Sequence, residues 1–355
     1  MKKFSKDFDA FTNSWWPYLI TFFIGLISAI RFYVGGVQYT KTNRIDGKIV
    51  IITGGSTGIG FETAKNLASR GGRIILAIRN AEKGKRALEK IKQNYPDAEV
   101  IVRLLDMGEI SSIKNFVLQL FKDYEKIDIL INNAAVIYQP YRKTVDGYEA
   151  TLMINYLGPF LLTHLLLPLL NKSENGRIIN VSAMAHYNGK LHMDDLNMEK
   201  QYNEKDAYSQ SKLALTIFTK YLASLLKKTK IVCYAVSPGL VRNTGHLQNL
   251  PLQRSFWSKL TIWPWIWLFL KNPKQGCQSI VYLAVDPSLG NVSGYYFSDC
   301  EVKDPSALVQ DVHLAKALYE KTCNIVDIDG MEIIKHLEGK KLETLNESRE
   351  NDYNF

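Results

Sequence analysis

Tyr208 and Lys212 stand four residues apart in the run Ala207-Tyr208-Ser209-Gln210-Ser211-Lys212, so one helical turn carries a phenol and an ammonium on the same face. Such a pair is suited to acid/base work. A tyrosine hydroxyl ordinarily titrates near ~10, and a neighbouring cation favours the phenolate and draws that value toward neutrality. The spacing alone proves little in a chain with 19 tyrosines, where a solvated helix face shows the same pattern. What decides between the two readings is the set of elements that would have to position the pair.

Upstream, Lys48-Ile49-Val50-Ile51-Ile52-Thr53 reads as a buried, β-branched strand that runs directly into Gly54-Gly55-Ser56-Thr57-Gly58-Ile59-Gly60. Residues 61–68 then show helical periodicity. Strand, glycine-rich turn and helix in that order make a dinucleotide site: the glycines let the backbone approach a pyrophosphate, and the helix N-terminus binds the anion. Gly54, Ser56, Thr57, Gly58, Ile59 and Gly60 are therefore expected cofactor contacts. A second strand, residues 73–78, ends at Arg79, roughly 20 residues past the glycines, where an NAD-selective site carries an acid for the ribose hydroxyls. Arg79, with Lys83 nearby, suits the 2′-phosphate of NADP(H), so NADP(H) is expected over NAD; the competing reading is a surface arginine that ends a strand.

Further strands fall at 99–106, 127–135, 177–182 and 230–236, alternating with helices at 111–124, which Ser111 is placed to cap, at 155–170 and around Tyr208. The alternation predicts an α/β fold, a doubly wound parallel sheet with right-handed crossovers and helices on both faces. Ligands bind beyond the carboxyl ends of such strands, where Gly54, Asp106, Asn133, Ser182 and Pro238 lie.

From about Gly47 to Asp299 the chain resembles the classical short-chain dehydrogenase/reductases, a Rossmann-type family. The resemblance rests on Thr53-Gly54-x-x-x-Gly58-x-Gly60, Asn132-Asn133-Ala134, Asn155, Tyr208-x-x-x-Lys212 and Pro238-Gly239 in family order. Within the family it is similar to the membrane-anchored retinol dehydrogenases and the polyprenol dehydrogenase branch, through Lys143-Thr144-x-Asp146-Gly147, Leu157-Gly158-x-Phe160-Leu161-Leu162-Thr163, Met193-Asp194-Asp195-Leu196 and Gln210-Ser211-Lys212-Leu213-Ala214-Leu215. The resemblance implies hydride exchange between a nicotinamide and a carbonyl carbon, with Tyr208 moving the proton and Lys212 lowering the tyrosine pKa and holding the nicotinamide ribose. It implies that Asn155 completes a proton relay through water, against a local backbone bond and kink as the plainer role of a helical Asn. It further implies that Asn133 and Ala134 line the cofactor and that Val241 to Thr244, after Pro238-Gly239, contact its amide.

Three residues depart from the family pattern. The strand ends in Ser182-Ala183 where two serines are usual, and the second of these orients the substrate carbonyl. Either Ser182 takes over by a local shift, or catalysis is slowed, or the chain is a cofactor-binding pseudoenzyme serving as a scaffold or redox sensor. Ala135 replaces a glycine and would crowd the cofactor backbone if the position required positive φ. Pro159 replaces a histidine, a milder change.

Residues 1–44 form the expected anchor and juxtamembrane segment. Residues 15–30 are uncharged and apolar, and with Arg31 snorkelling the stretch approaches the ~20 residues needed to span a bilayer, with aromatic residues at both ends. Asp7, Asp9 and the lack of a small-residue cleavage pair argue against a cleaved signal. Flanking Lys and Arg residues are nearly balanced, so orientation is open, and four cysteines without metal spacing suit a reducing compartment. An endoplasmic-reticulum membrane with the catalytic domain (45–304) facing the cytosol is the favoured location. Within it, the stretch 245–272 carries four tryptophans and occupies the position of the family's substrate lid, lining an apolar channel, touching the bilayer, or packing as core or oligomer contact. A lipophilic alcohol or aldehyde is the expected substrate. The net charge of +9 suits an anionic lipid surface; no metal and no nucleic-acid partner is expected, and a homodimer stays open. Residues 305–355 are expected as a helical extension whose tail, from Lys335, is mobile.

Overall fold

The computed structural model describes residues 14–242, 265 and 267–337. A 20-residue helix, α1 (Trp16–Gly35), precedes the sheet and leaves only 6% of its apolar window buried. At 1.5 Å per residue it reaches about 30 Å, the thickness of a bilayer's hydrocarbon core.

The α/β domain is built from β1 (Ile49–Thr53), α2 (Gly58–Ser69), β2 (Arg73–Ile78), α3 (Ala81–Asn94), β3 (Val100–Leu104), α4 (Ile110–Asp123), β4 (Ile129–Asn132), α5 (Ala150–Asn171), β5 (Gly176–Val181), α6 (Glu204–Leu225) and β6 (Ile231–Ser237). There follow α7 (Pro273–Gly276), α8 (Gln278–Val285), β7 (Tyr295–Ser298), β8 (Glu301–Lys303) and α9 (Val312–Val326). The strands lie in the order β3-β2-β1-β4-β5-β6-β7-β8; all neighbours are parallel except β7 and β8. Chain order reverses between β1 and β4, and that switch point opens the crevice that will hold the site.

Strands β1, β4, β5 and β6 are buried at every residue, which explains why they read as continuous apolar runs rather than alternating ones. Alternate residues serve opposite faces. Ile49 and Ile51 join the core under α4, α5, α6 and α9, whereas Val50 and Ile52 join the core under α2, α3 and α8.

One local expectation, the cap of the helix at 111–124, is corrected, and the C-terminal extension gains a packing role. Helix α4 begins at Ile110 behind Glu109, so Ser111 lies inside the first turn and its hydroxyl donates to the Glu109 carboxylate instead of capping. The C-terminal extension is part of the core: Leu318, Tyr319, Val326, Ile334 and Leu337 are buried against α5 and α6. A further helical segment spans 330–337, so the extension is helical, and the rest of the expected tail lies outside the described residues. Helix α5 matches α1 in length and apolarity but is 89% buried, so it is the central core helix and not a second span.

Candidate active site

The glycine turn after β1 is shaped by close approaches. Gly54 has φ 67°, and a Cβ there would stand 2.9 Å from the Cα of Ala134. At Gly60 a Cβ would meet the Asn133 Nδ2 and the Gly54 carbonyl oxygen, each at 2.5 Å. Only glycine fits either place. The turn is tied to β4 through Thr53, whose Oγ1 accepts the N–H groups of Asn133 and Ala134, both at 2.9 Å, while the Asn133 Nδ2 donates to the Thr53 carbonyl at 2.9 Å. Asn133 therefore holds the two strand ends together beside the crevice.

The crevice is a cleft of about 490 Å³ lined by Gly54, Ser56 to Gly60, Arg79, Asp106, Asn133, Ala134, Ser182, Ala183, Tyr208, Lys212, Pro238, Gly239 and Val241. The expected cofactor residues thus converge, apart from Thr244, which lies outside the described residues together with most of the expected lid. The glycine cradle, the N-terminus of the 12-residue α2 and the basic Arg79 fit a phosphorylated dinucleotide. At the far end of the cleft the Arg79 Nε is 4.0 Å from the Asp106 Oδ2, and two-thirds of its side chain is exposed. Asp106 spends its other oxygen on the Gly108 N–H at 2.8 Å. Ala135 has no positive φ, so its departure from glycine costs no backbone strain.

Tyr208 and Lys212 come from the second and third turns of α6, whose N-terminus is capped by Asn203. Each is only 2% exposed. The Lys212 Nζ donates to the Val181 carbonyl at 2.7 Å and lies 5.9 Å from the centre of the Tyr208 ring. Burial pushes Lys212 down to about 7 and, with the nearby Tyr138, pushes the Tyr208 phenol up. This reverses the expectation that the cation lowers the tyrosine, because desolvation disfavours both charged forms. The lysine becomes the member that titrates in the working range.

Asn155 sits in a π-helical turn, Met153–Leu157, closed by the Gly158 N–H on the Met153 carbonyl. Such turns recur at functional sites. Its side chain makes no local backbone bond: Oδ1 accepts the Val136 N–H at 2.9 Å, and Nδ2 donates to the Val136 carbonyl at 2.9 Å and the Ser211 Oγ at 3.0 Å. Asn155 thus joins the loop after β4 to the helix that carries Tyr208.

Ser182, expected as a catalytic candidate, lines the cleft with its hydroxyl engaged by α6. Its Oγ pairs with the Thr216 Oγ at 2.7 Å and reaches the Lys212 carbonyl at 3.3 Å, fully buried against α6. Ala183, the next residue, lines the cleft as well and brings no hydroxyl to it. Tyr138, which the motifs did not single out, is a further neighbour: its ring meets Tyr208 edge-on at 5.5 Å, and its φ of 48° is unusual for a bulky side chain. Ser211 and Val136 were likewise invisible in the spacing, since their part in the site depends on Asn155. Among the described residues no three His, Cys, Asp or Glu side chains converge to hold a metal.

A family model described as short chain dehydrogenase matches residues 48–255. Human retinol dehydrogenase 11 is 41% identical over 292 residues, spanning 81% of this chain and 89% of the relative. Mouse retinol dehydrogenase 13 is 40% identical over 306 residues, spanning 86% and 91%. Among solved structures, an uncharacterized protein from Mycobacterium paratuberculosis superposes with a TM-score of 0.67 at 28% identity, covering 83% of this chain and 98% of its own. An oxidoreductase from Escherichia coli shares the fold at a TM-score of 0.57 and 21% identity, covering 74% and 99%.

Proposed function

This chain belongs to the short-chain dehydrogenase family of oxidoreductases, and from that premise we propose that it is membrane-anchored, uses NADP(H) in preference to NAD, and interconverts a lipophilic alcohol with its aldehyde or ketone. The observation that carries the reading is Tyr208, buried beside Lys212 at the inner end of a glycine-cradled cleft. Retinoids, polyprenoids and related long-chain alcohols are the substrate class, supported by the retinol dehydrogenases to which the chain is similar and by the exposed apolar α1. The endoplasmic reticulum, with the catalytic domain toward the cytosol, accords with four free cysteines.

Bound nicotinamide supplies the hydride chemistry. Tyr208 gives a proton to the substrate oxygen during reduction and takes it back during oxidation. Lys212, when charged, stabilises the phenolate that reduction leaves behind. Asn155 fixes the loop after β4 against α6 and so keeps Tyr208 in place. Arg79 holds the adenosine phosphate by charge and bidentate donors.

A second reading, a cofactor-binding scaffold or sensor with little turnover, is favoured by one observation. Ala183 offers no hydroxyl to the cleft, and the Ser182 hydroxyl is committed to Thr216. Purified full-length protein with NADPH and all-trans-retinal or a polyprenal separates the two. Turnover supports the oxidoreductase, and tight NADPH binding without turnover of any lipid aldehyde overturns it.

A further inference from the structure

Arg31, in the last two turns of α1, does not reach outward for water. Its Nη1 donates to three backbone carbonyls in one short segment, Trp267 at 2.7 Å, Leu268 at 3.3 Å and Leu270 at 2.9 Å, and its Nη2 donates to the Gln275 Oε1 at 3.3 Å. Residues 267–269 are helical and 270 is not, so these carbonyls stand where a helical segment ends and lacks onward N–H partners. The same guanidinium lies 5.1 Å from the centre of the Trp267 ring, and Arg242 approaches that ring at 6.0 Å.

From this clamp the chain leads directly to the cleft. The Lys271 N–H donates to the Leu240 carbonyl at 2.9 Å, its carbonyl accepts the Arg242 N–H at 2.8 Å, and Val241, held between them, lines the cleft. The Lys271 ammonium is paired with Asp299. Exposed aromatic side chains stand on both partners of the clamp: Phe32 and Tyr33, which follow Arg31 on α1, are 88% and 87% exposed, and Trp265, Trp267 and Phe269 are 61%, 42% and 50% exposed. Trp265 and Phe269 stack in parallel at 6.0 Å. Exposed aromatic rings at the end of an apolar helix suit the depth of lipid headgroups, and the patch is continuous with α1, the segment that enters the bilayer.

We infer that Arg31 is a positioning residue that locks the segment 267–270 to the anchor helix, so that this aromatic edge lies in the bilayer interface and membrane-dissolved substrate enters the cleft along it. The partner is a phospholipid surface, and the inference rests on the proposed membrane anchoring. Broken free of Arg31, the segment keeps its fold contacts through Lys271 but loses its fixed height relative to the membrane. The lipid substrate then suffers while a water-soluble one does not.

The test uses the full chain reconstituted in phosphatidylcholine vesicles with NADPH, comparing Arg31→Ala and Arg31→Lys with the parent protein. The substrates are a polyprenal carried in the vesicles and a short water-soluble isoprenoid aldehyde. Arg31→Ala should lower kcat/KM for the vesicle-borne aldehyde on the order of 10-fold, through KM, and leave the soluble aldehyde within about two-fold. Arg31→Lys, retaining charge without the planar fork, should fall between. Equal loss on both substrates, or no loss on the vesicle-borne one, overturns the inference. An independent readout is quenching of tryptophan fluorescence by brominated lipid. The quenching lost in Trp265→Phe/Trp267→Phe should be lost in Arg31→Ala too; if those two tryptophans contribute none in the parent protein, or are shielded instead by self-association, the membrane is not the partner. Should the parent protein turn over neither aldehyde, the oxidoreductase reading fails while the quenching still decides this one.

Discussion

The Lys212 ammonium lies 5.9 Å from the centre of the Tyr208 ring, with one of its N–H groups fixed on the Val181 carbonyl at 2.7 Å. The pair is buried as a unit, and burial sets its titration. Lys212, pushed down to about 7, is charged below that pH and then stabilises the Tyr208 phenolate formed on reduction. The rate of aldehyde reduction should therefore fall as pH rises through about 7, and Lys212→Met should remove the inflection and cost ~10²-fold or more. Tyr208→Phe should abolish turnover while NADPH still binds. A profile flat from about pH 6 to 8, measured as kcat/KM, would show that the lysine does not govern the proton.

Ala183→Ser restores a hydroxyl to the face of the cleft and should raise kcat on the order of 10-fold or more if carbonyl orientation limits the rate. Ser182→Ala should behave differently. It removes a buried partner of Thr216, so it should cost about 1–3 kcal/mol of stability and spare the chemistry. Steady-state kinetics beside thermal unfolding distinguish these outcomes; a Ser182→Ala protein with unchanged Tm and no activity would make Ser182 a catalytic residue.

Arg79 is exposed and weakly engaged with Asp106, which leaves its guanidinium available to a phosphate. Arg79→Glu should weaken NADPH binding by ~10-fold or more, a loss of about 1.4 kcal/mol, and bring NADH to parity or better. Fluorescence titration of both nucleotides reads the ratio. Unchanged selectivity would move phosphate recognition to another residue, with Lys83 the next in the cleft.

His164 is wholly buried on α5, with Nδ1 bonded to the Phe160 carbonyl and Nε2 2.8 Å from the Tyr319 hydroxyl of α9. Burial pushes its pKa down to about 4. The unfolded chain binds a proton that the folded chain refuses, so stability is full above the unfolded value near ~6.5 and is lost as pH falls toward 4, on the order of 3 kcal/mol. Denaturant unfolding at pH 7 and 5 should show about 2 kcal/mol of that loss, and His164→Gln should flatten it. Equal dependence in both proteins would assign the acid sensitivity elsewhere.

What was local in the chain was legible in the sequence. The strand, the glycine turn and the helix at 48–69 follow from burial, positive φ and periodicity within a few residues, and Tyr208 and Lys212 meet because α-helical geometry puts four-residue neighbours on one face. The departure at Ala183 was also visible, since it is a single residue at the end of a strand. Its meaning was not: the Ser182 hydroxyl belongs to Thr216, 34 residues onward, which only the packing of β5 on α6 brings near. Desolvation reversed the expected Tyr208 shift because no spacing reports burial. Arg31 and Trp267 are 236 residues apart, and the extension after Asp304 reads as charged surface until its buried positions meet α5. Sequence by itself determined the elements, the one-turn spacing of Tyr208 and Lys212 and the apolar N-terminal helix, each carried by local pattern. Only the tertiary structure decided which polar groups are already spent on one another and which carbonyls Arg31 of α1 meets, because those pairings join segments remote in the chain.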